Sequence, residues 1–93
     1  MQRHLRSKSE KISDILRSIR NCPGTRITQI MYETCIPHTQ LKKYLTIMIQ
    51  NGLIVYVKEK KTFRITDYGM NVLKLHNEMG QLLVYNPTKQ LVE

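Results

Sequence analysis

Tryptophan is missing from this 93-residue chain, phenylalanine occurs once and cysteine twice. Two cysteines are too few for a disulfide framework, and no apolar run approaches the ~20 residues of a membrane span. The basic start MQRHLRSKSEK lacks the apolar centre of a secretory signal, so we expect a cytoplasmic protein without a membrane partner. Paired carboxylates, a nucleophile elbow and a Gly-rich phosphate loop are also missing. We therefore expect neither an enzyme nor a cofactor.

The two cysteines raise the question of a metal site. Cys35 and His38 are separated by two residues, which is a possible spacing for two metal ligands. Cys22 and His4 would have to complete the set from unrelated positions, and no Cys-x-x-Cys pair occurs. We therefore expect no metal, and we interpret both cysteines as small, partly buried residues near helix ends.

The charge of the chain is strongly positive and unevenly distributed. The formal net charge is +8, of which residues 1–26 contribute +5, residues 27–52 contribute +1 and residues 53–66 contribute +3. Residues 67–93 contribute −1. This distribution is typical of a polyanion-binding part followed by a part with another role. The alternative explanation is that the basic residues only keep a small protein in solution.

Residues 1–8 are basic and lack apolar periodicity, which predicts a flexible arm. Its basic side chains either contact a phosphate backbone or are simply solvated; they are Arg3, His4, Arg6 and Lys8. Ser7 and Glu10 have the spacing of a capping box, which predicts a first helix that continues to about Arg20. The segment NCPG then ends this helix.

Two more helices are predicted before residue 52. Thr25 is a suitable N-cap for a short helix that ends near residue 33. Pro37 suits the first position of a third helix because its φ angle is fixed. This helix continues to residue 50 or 51, and Gly52 supplies its C-cap.

The third helix has two different faces. Leu41, Leu45 and Met48 fall within a sector of roughly 60°, with Tyr44 beside them. The opposite face carries Thr39, Lys42, Lys43, Thr46 and Gln50. Such residues can donate to phosphates and to base edges in a major groove, although any solvated helix face has a similar composition.

After residue 52 the apolar pattern changes to short β-rich runs. Residues 53–57 and 62–65 flank the segment KEKK, which predicts a two-stranded hairpin with a basic tip. Three helices, this hairpin and a further helix define a mainly α protein with a small β-hairpin. The predicted fold is a winged helix-turn-helix (α-α-α-β-β-α) whose domain occupies residues 9–66.

A fourth helix is predicted at residues 67–85, followed by a tail at residues 86–93. At ~1.5 Å per residue it spans about 28 Å, which is longer than the core requires. Its apolar residues form two adjacent seams, so one seam can contact the domain while the other is exposed. We therefore expect a C-terminal dimerisation helix that joins a homodimer through Val72, Leu75, His76, Met79, Leu82 and Leu83.

Several segments match the pattern of a known family. They are Ile30-Met31-Tyr32, Gln40-Leu41-Lys42-Lys43-Tyr44-Leu45, Gly52-Leu53-Ile54, and Ile65-Thr66 with Gly69. Over residues 9–83 the chain resembles archaeal winged helix-turn-helix DNA-binding proteins of the 10a chromatin type. The resemblance implies an antiparallel homodimer joined by a short coiled coil of the C-terminal helices. It also implies a nucleoid-associated protein that acts in chromatin or regulates transcription.

Two residues depart from the pattern of that family. Pro37 stands where relatives commonly have a hydroxyl N-cap. Gly80 interrupts the dimerisation helix, where it costs ~1 kcal/mol relative to Ala unless a close approach uses it.

These patterns predict an interface with double-stranded DNA, in which the third helix enters the major groove and the hairpin contacts the backbone. The predicted DNA-binding residues are Arg26, His38, Thr39, Gln40, Lys42, Lys43, Thr46, Gln50, Lys58, Lys60, Lys61 and Arg64. The polar face of the third helix lacks Arg and Asn, which are best suited to bidentate base reading. We therefore expect modest sequence preference.

The alternative is a protein-interaction module within a transcription or replication assembly. Such a module would present an apolar face on its third helix. Ile47 and Ile49, which flank the polar residues, are the only residues that indicate such a face. RNA binding is compatible with the charge, but Phe63 and five scattered tyrosines do not form a stacking platform. No feature of the sequence indicates a small-molecule ligand.

Overall fold

The structure is a computed structural model that describes the backbone of residues 6–85 and the side chains of residues 6–78. Its elements are the helices Lys8–Asn21 (α1), Ile27–Thr34 (α2) and His38–Gln50 (α3), the strands Ile54–Val57 (β1) and Thr62–Ile65 (β2), and the helix Asp67–Tyr85 (α4). The two strands pair antiparallel and form the wing. This order confirms the predicted winged helix-turn-helix fold.

The ends of α1 and α3 follow the expected capping chemistry. The hydroxyl of Ser7 accepts from the backbone N–H of Glu10 at 3.1 Å, and the Glu10 carboxylate accepts from the N–H of Ser7 at 2.8 Å. The predicted capping box is therefore confirmed. The C-cap position of α3 is occupied by Asn51 and not by the predicted Gly52, which follows it with a φ of 74°. A glycine adopts this conformation without steric cost. This turn lets the N–H of Leu53 donate to the carbonyl oxygen of Met48 at 2.9 Å.

The prediction that Thr25 caps α2 is wrong, because Arg26 occupies the N-cap position. Thr25 instead forms an antiparallel bridge with Phe63 of the wing. The N–H of Phe63 donates to the carbonyl oxygen of Thr25 at 2.9 Å. The Thr25 carbonyl oxygen therefore accepts from the wing, and the Arg26 carbonyl oxygen accepts the first helical N–H, that of Ile30, at 3.1 Å. The buried Thr25 hydroxyl donates to the side-chain oxygen of Gln29 at 3.1 Å.

Pro37 lies at the N-cap of α3 and not at its first helical position. Its φ of −58° suits a helix, but its ψ of 147° is extended. The carbonyl oxygen of Pro37 accepts the N–H of Leu41 at 2.8 Å. Because proline has no side-chain acceptor, the first turn of α3 has no side-chain cap.

The core is built from apolar residues of all four helices and the wing. In α3 these residues are Leu41, Leu45 and Met48, with Tyr44 packed at the edge, which confirms the predicted inward face. The other buried apolar residues are Ile15, Leu16, Ile19, Ile30, Ile36, Leu53, Ile54, Phe63 and Leu73. Because one side of α3 is fixed against this core, its polar side faces solvent.

Thr66 and Gly69 fasten the start of α4 to the loop between α3 and β1. The Thr66 hydroxyl lies 2.6 Å from the carbonyl oxygen of Gly52 and accepts the N–H of Gly69 at 2.9 Å. A Cβ atom on Gly69 would collide with the carbonyl oxygen of Leu53 and lie 2.9 Å from Cγ1 of Ile65. Glycine therefore permits the close approach of α4 to the wing.

Candidate nucleic-acid interface

The outer face of α3 is an exposed polar surface that follows the helix from end to end. Its exposed polar side chains are His38, Thr39, Lys42, Lys43, Thr46 and Gln50. We call these six residues the α3 stripe. Two apolar side chains flank the stripe on opposite sides, Ile47 at 48% exposure and Ile49 at 40%.

Gln40 and Thr46 use part of their hydrogen-bonding capacity inside the protein. Gln40 is half-buried, and its side-chain oxygen accepts from Nζ of Lys11 in α1 at 2.5 Å. The Thr46 hydroxyl donates to the carbonyl oxygen of Lys42 at 2.9 Å, so its oxygen can still accept a hydrogen bond. Gln40 therefore connects α3 to α1, whereas Thr46 belongs to the exposed surface.

The stretch of sequence that contains the α3 stripe has no acidic residue. No Asp or Glu occurs between Glu33 and Glu59, a segment that contains all of α3 and β1. The carboxylate of Glu33 accepts from the Ser18 hydroxyl of α1 at 2.6 Å. Lysines are therefore the only charged side chains, apart from His38, that α3 itself contributes.

The wing presents two different faces. Tyr56 of β1 lies opposite Phe63 of β2, and Val55 lies opposite Arg64. Directly opposed residues share a face of the sheet, and the rings of Tyr56 and Phe63 have centroids 4.9 Å apart. Arg64 therefore projects from the face of the wing opposite to this aromatic pair.

The tip of the wing is a tight basic turn. The N–H of Lys60 donates to the carbonyl oxygen of Val57 at 3.2 Å, and the N–H of Lys61 donates to that of Lys58 at 3.3 Å. Lys61 has a φ of 56°, a left-handed conformation that is uncommon outside glycine. All three lysines are exposed, so the turn concentrates positive charge at the end of the hairpin.

A groove of about 390 Å³ lies between the start of α2, the middle of α3 and the wing. We call it the α3–wing groove. It brings together four of the predicted DNA-binding residues, among them three cations from separate parts of the chain: Arg26, Lys42 and Lys61. Its other lining residues are Ile27, Thr28, Leu45, Thr46, Ile49, Tyr56 and Phe63. Sequence reasoning missed this groove because its residues come from separate segments, each of which is short and unremarkable alone.

The basic residues at the start of the chain are placed differently. Nη1 of Arg6 lies 2.8 Å from Oδ2 of Asp14, and Nη1 of Arg17 lies 2.9 Å from Oδ1 of the same carboxylate. Arg6 therefore pairs within the protein and is not a free cation of the predicted arm. Arg3 and His4 lie outside the described residues, and Lys8 is the first residue of α1.

A second groove, of about 350 Å³, separates α1, the end of α3 and α4. Two of the predicted dimerisation residues, Val72 and His76, line it and are half-buried. Leu75 is 57% exposed and Tyr68 is 58% exposed. The side chains of Met79, Leu82 and Leu83 lie outside the described residues.

Within the described part of the chain, none of the helices is both long enough and apolar enough to cross a membrane. Among the same residues, no three His, Cys, Asp or Glu side chains are grouped as metal ligands would be. Cys22 is half-buried and its Sγ lies 2.9 Å from Nε2 of Gln29, whereas Cys35 is exposed. The interpretation of both cysteines as partly buried therefore holds only for Cys22.

Comparison with known proteins places this geometry in a class. Residues 5–83 match a family model described as winged helix-turn-helix. The chain therefore belongs to the winged helix-turn-helix family. Membership of this family, together with the fold, supports a DNA-binding or regulatory role rather than an enzymatic one. The match does not separate the 10a chromatin type from other members.

Two individual proteins are similar to this chain. An uncharacterized protein of Methanocaldococcus jannaschii, MJ0287, is 32% identical over 87 residues, which cover 92% of this chain and 86% of that protein. The crystal structure of a multiple antibiotic-resistance repressor (MarR) from Listeria monocytogenes superposes with a TM-score of 0.64 at 16% identity. That superposition covers 85% of this chain but only 61% of the repressor chain, so it bears on the fold alone.

Proposed function

We propose that the protein binds double-stranded DNA with the α3 stripe in the major groove and the wing on the adjacent backbone. The observation that carries this proposal is the continuous exposed stripe of α3, with Lys42 and Lys43 and without any acidic residue between Glu33 and Glu59. A major groove admits an α-helix, and lysine side chains neutralise phosphates and release counterions.

The α3–wing groove indicates the path that one strand of the bound DNA would follow. Lys42 and Lys61 stand on either side of it, and Arg26 lies at the start of α2. One DNA strand that passes along the groove would place phosphates near all three cations. Lys43, Thr39 and Gln50 lie farther round α3 and would face the bases. Arg64 projects from the other face of the wing, so its contribution is smaller.

Sequence preference should be modest. Lysine and glutamine can donate to base edges, but the α3 stripe contains no arginine or asparagine for bidentate reading of guanine or adenine. Most of the affinity would then come from phosphate contacts, which do not depend on sequence. A nucleoid-associated protein or a regulator with a loose operator would have these properties.

We also propose that the protein acts as a homodimer through α4. Tyr68 and Leu75 are more than half exposed, and helical spacing places them on the same side of α4. The sequence seam continues with Met79 and Leu82, as part of a helix of 19 residues. A second copy that covers this seam would bury it, and the dimer would present two α3 stripes.

Selection of bound sequences from a random DNA pool tests the proposed function. Recovery of duplexes with a weak consensus, at an affinity that falls steeply with salt, is expected. A sharp consensus would favour a specific regulator over a chromatin protein. Absence of DNA binding at micromolar protein and low salt would contradict the proposal.

A protein-interaction module is the second candidate, and one observation favours it. Ile47 and Ile49 are 48% and 40% exposed on α3, whereas a solely DNA-binding face needs little apolar surface. A gel shift with random duplex DNA at low salt separates the two functions. The interaction module predicts no shifted band under these conditions.

A further inference from the structure

The α3–wing groove exposes more apolar surface than contacts with DNA phosphates use. Ile49 is 40% exposed and Tyr56 is 44% exposed, and both line the groove. Phosphate contacts are made by cations, hydroxyls and backbone N–H groups. The proposed DNA contacts therefore explain Arg26, Lys42 and Lys61 but leave the apolar floor without a role.

The groove has the dimensions and the construction of a ligand site. Its volume of about 390 Å³ lies within the range of roughly 300–1,000 Å³ that small-molecule sites occupy. Leu45 and Phe63 form its inner wall, and both are buried members of the core. The Tyr56 ring packs against Phe63 at a centroid distance of 4.9 Å with the ring planes tilted by 44°, so one aromatic ring of the groove is held by the core.

The charge of the groove selects the kind of ligand. Arg26, Lys42 and Lys61 line it, and no carboxylate occurs among the described residues that do so. Thr28 and Thr46, which carry hydroxyl groups, also line it. An apolar floor beneath three cations is complementary to a molecule with a flat apolar body and one negative charge.

We propose that the α3–wing groove binds a small aromatic carboxylate. The ring system lies against Tyr56 and Ile49, and the carboxylate lies among the three cations. Because those cations are also the proposed phosphate contacts, the bound carboxylate competes with DNA. This competition rests on the proposed function, whereas binding of the carboxylate itself does not.

Titration of the full chain with naphthalene-2-carboxylate, followed by NMR of the 15N-labelled protein at constant ionic strength, tests this site. The expected result is saturation with a Kd of about 1 mM or below, with the largest shifts at backbone amides of residues 26–28, 42–49 and 56–63. The uncharged naphthalene-2-methanol should bind at least about fivefold more weakly, since it lacks the charge. Acetate at the same concentration should produce no saturating shifts, since it lacks the ring.

Two isoleucines of α3 supply a matched pair of variants. Ile49→Ser removes an exposed side chain from the groove, whereas Ile47→Ser removes a similarly exposed one from the opposite flank. Naphthalene-2-carboxylate should bind Ile49→Ser at least about fivefold more weakly than Ile47→Ser. If either variant fails to fold, Lys42→Gln replaces it, and this change should reduce the preference for the carboxylate over the alcohol.

Three results would overturn the proposal. These are shifts that do not saturate, saturation at amides remote from the groove, and equal affinity of the carboxylate and the alcohol. The titration contains no DNA, so its outcome is separate from that of the DNA-binding experiments. A protein that binds the carboxylate but not DNA would contradict only the proposed function.

Discussion

The backbone N–H of Phe63 donates to the carbonyl oxygen of Thr25 at 2.9 Å, which joins the wing to the residue before α2. Thr25 is 1% exposed, so this hydrogen bond is shielded from water. It fixes the aromatic side of the wing next to Arg26. Cations of α2, α3 and the wing are thereby held around one groove.

Removal of two wing lysines should weaken binding to every DNA sequence about equally. Each lost phosphate contact reduces affinity roughly fivefold to tenfold near 0.1 M salt, and the slope of log K against log salt becomes shallower by about 0.9 per contact. Lys60→Gln/Lys61→Gln can be measured by fluorescence anisotropy on several duplexes. Lys74→Gln, an exposed lysine of α4, is the control. Equal losses in both proteins would contradict the role of the wing.

Replacement of Lys43 should change which sequences are bound. Lys43 lies on the α3 stripe near the centre of its outer face, where a side chain would reach base edges with α3 in the major groove as proposed. Lys43→Ala is therefore expected to alter the consensus recovered from a random pool, with a loss of about 1–3 kcal/mol at the affected base. Lys58→Ala, in the wing, should leave the consensus unchanged. An identical consensus for the wild type and Lys43→Ala would show that this lysine does not read bases.

A methyl group on Gly69 should destabilise the protein. The added Cβ would collide with the carbonyl oxygen of Leu53 and approach Cγ1 of Ile65 to 2.9 Å, so α4 must shift. We expect Gly69→Ala to lower the free energy of unfolding by about 1–3 kcal/mol. Asn71→Ala, at an exposed position of the same helix, should change it by less than about 0.5 kcal/mol. Urea unfolding at one fixed protein concentration gives both values, and equal stabilities would refute the close approach.

A charge on the exposed side of α4 should break the dimer. Leu75 is 57% exposed on the proposed dimer seam, whereas Met70 is 42% exposed and lies about 140° around the helix from it. Leu75→Glu should therefore yield monomers in sedimentation at concentrations at which Met70→Glu remains dimeric. If both variants dimerise, the interface lies elsewhere. A monomeric wild type would contradict the proposed homodimer.

Much of the fold can be predicted from local sequence patterns. The capping box of Ser7 and Glu10, the apolar face of α3 and the length of α4 each depend on residues close together in sequence. These features are present in the structure as predicted. The role of Thr25 is not local, because it depends on Phe63 almost forty residues later. No rule for helix caps contains that information.

Part of the candidate interface can also be predicted from residues that are close together in sequence. Helical periodicity identifies the polar face of α3, but it does not reveal that Lys11 of α1 donates to the side chain of Gln40. Strand alternation separates Arg64 from Tyr56 only once the register of the hairpin is known. The α3–wing groove joins three elements and has no signature in any one of them.

The salt dependence of binding to a random duplex tests the central claim most directly. If each half of a dimer neutralises ~4 phosphates with the α3 stripe, Arg26 and the wing, a plot of log K against log salt has a slope near −7. The measurement requires anisotropy titrations at several salt concentrations, with the dimer state checked at each. A slope near −7 is the result predicted here. A slope shallower than about −2, or no binding at low salt, would contradict the electrostatic mechanism.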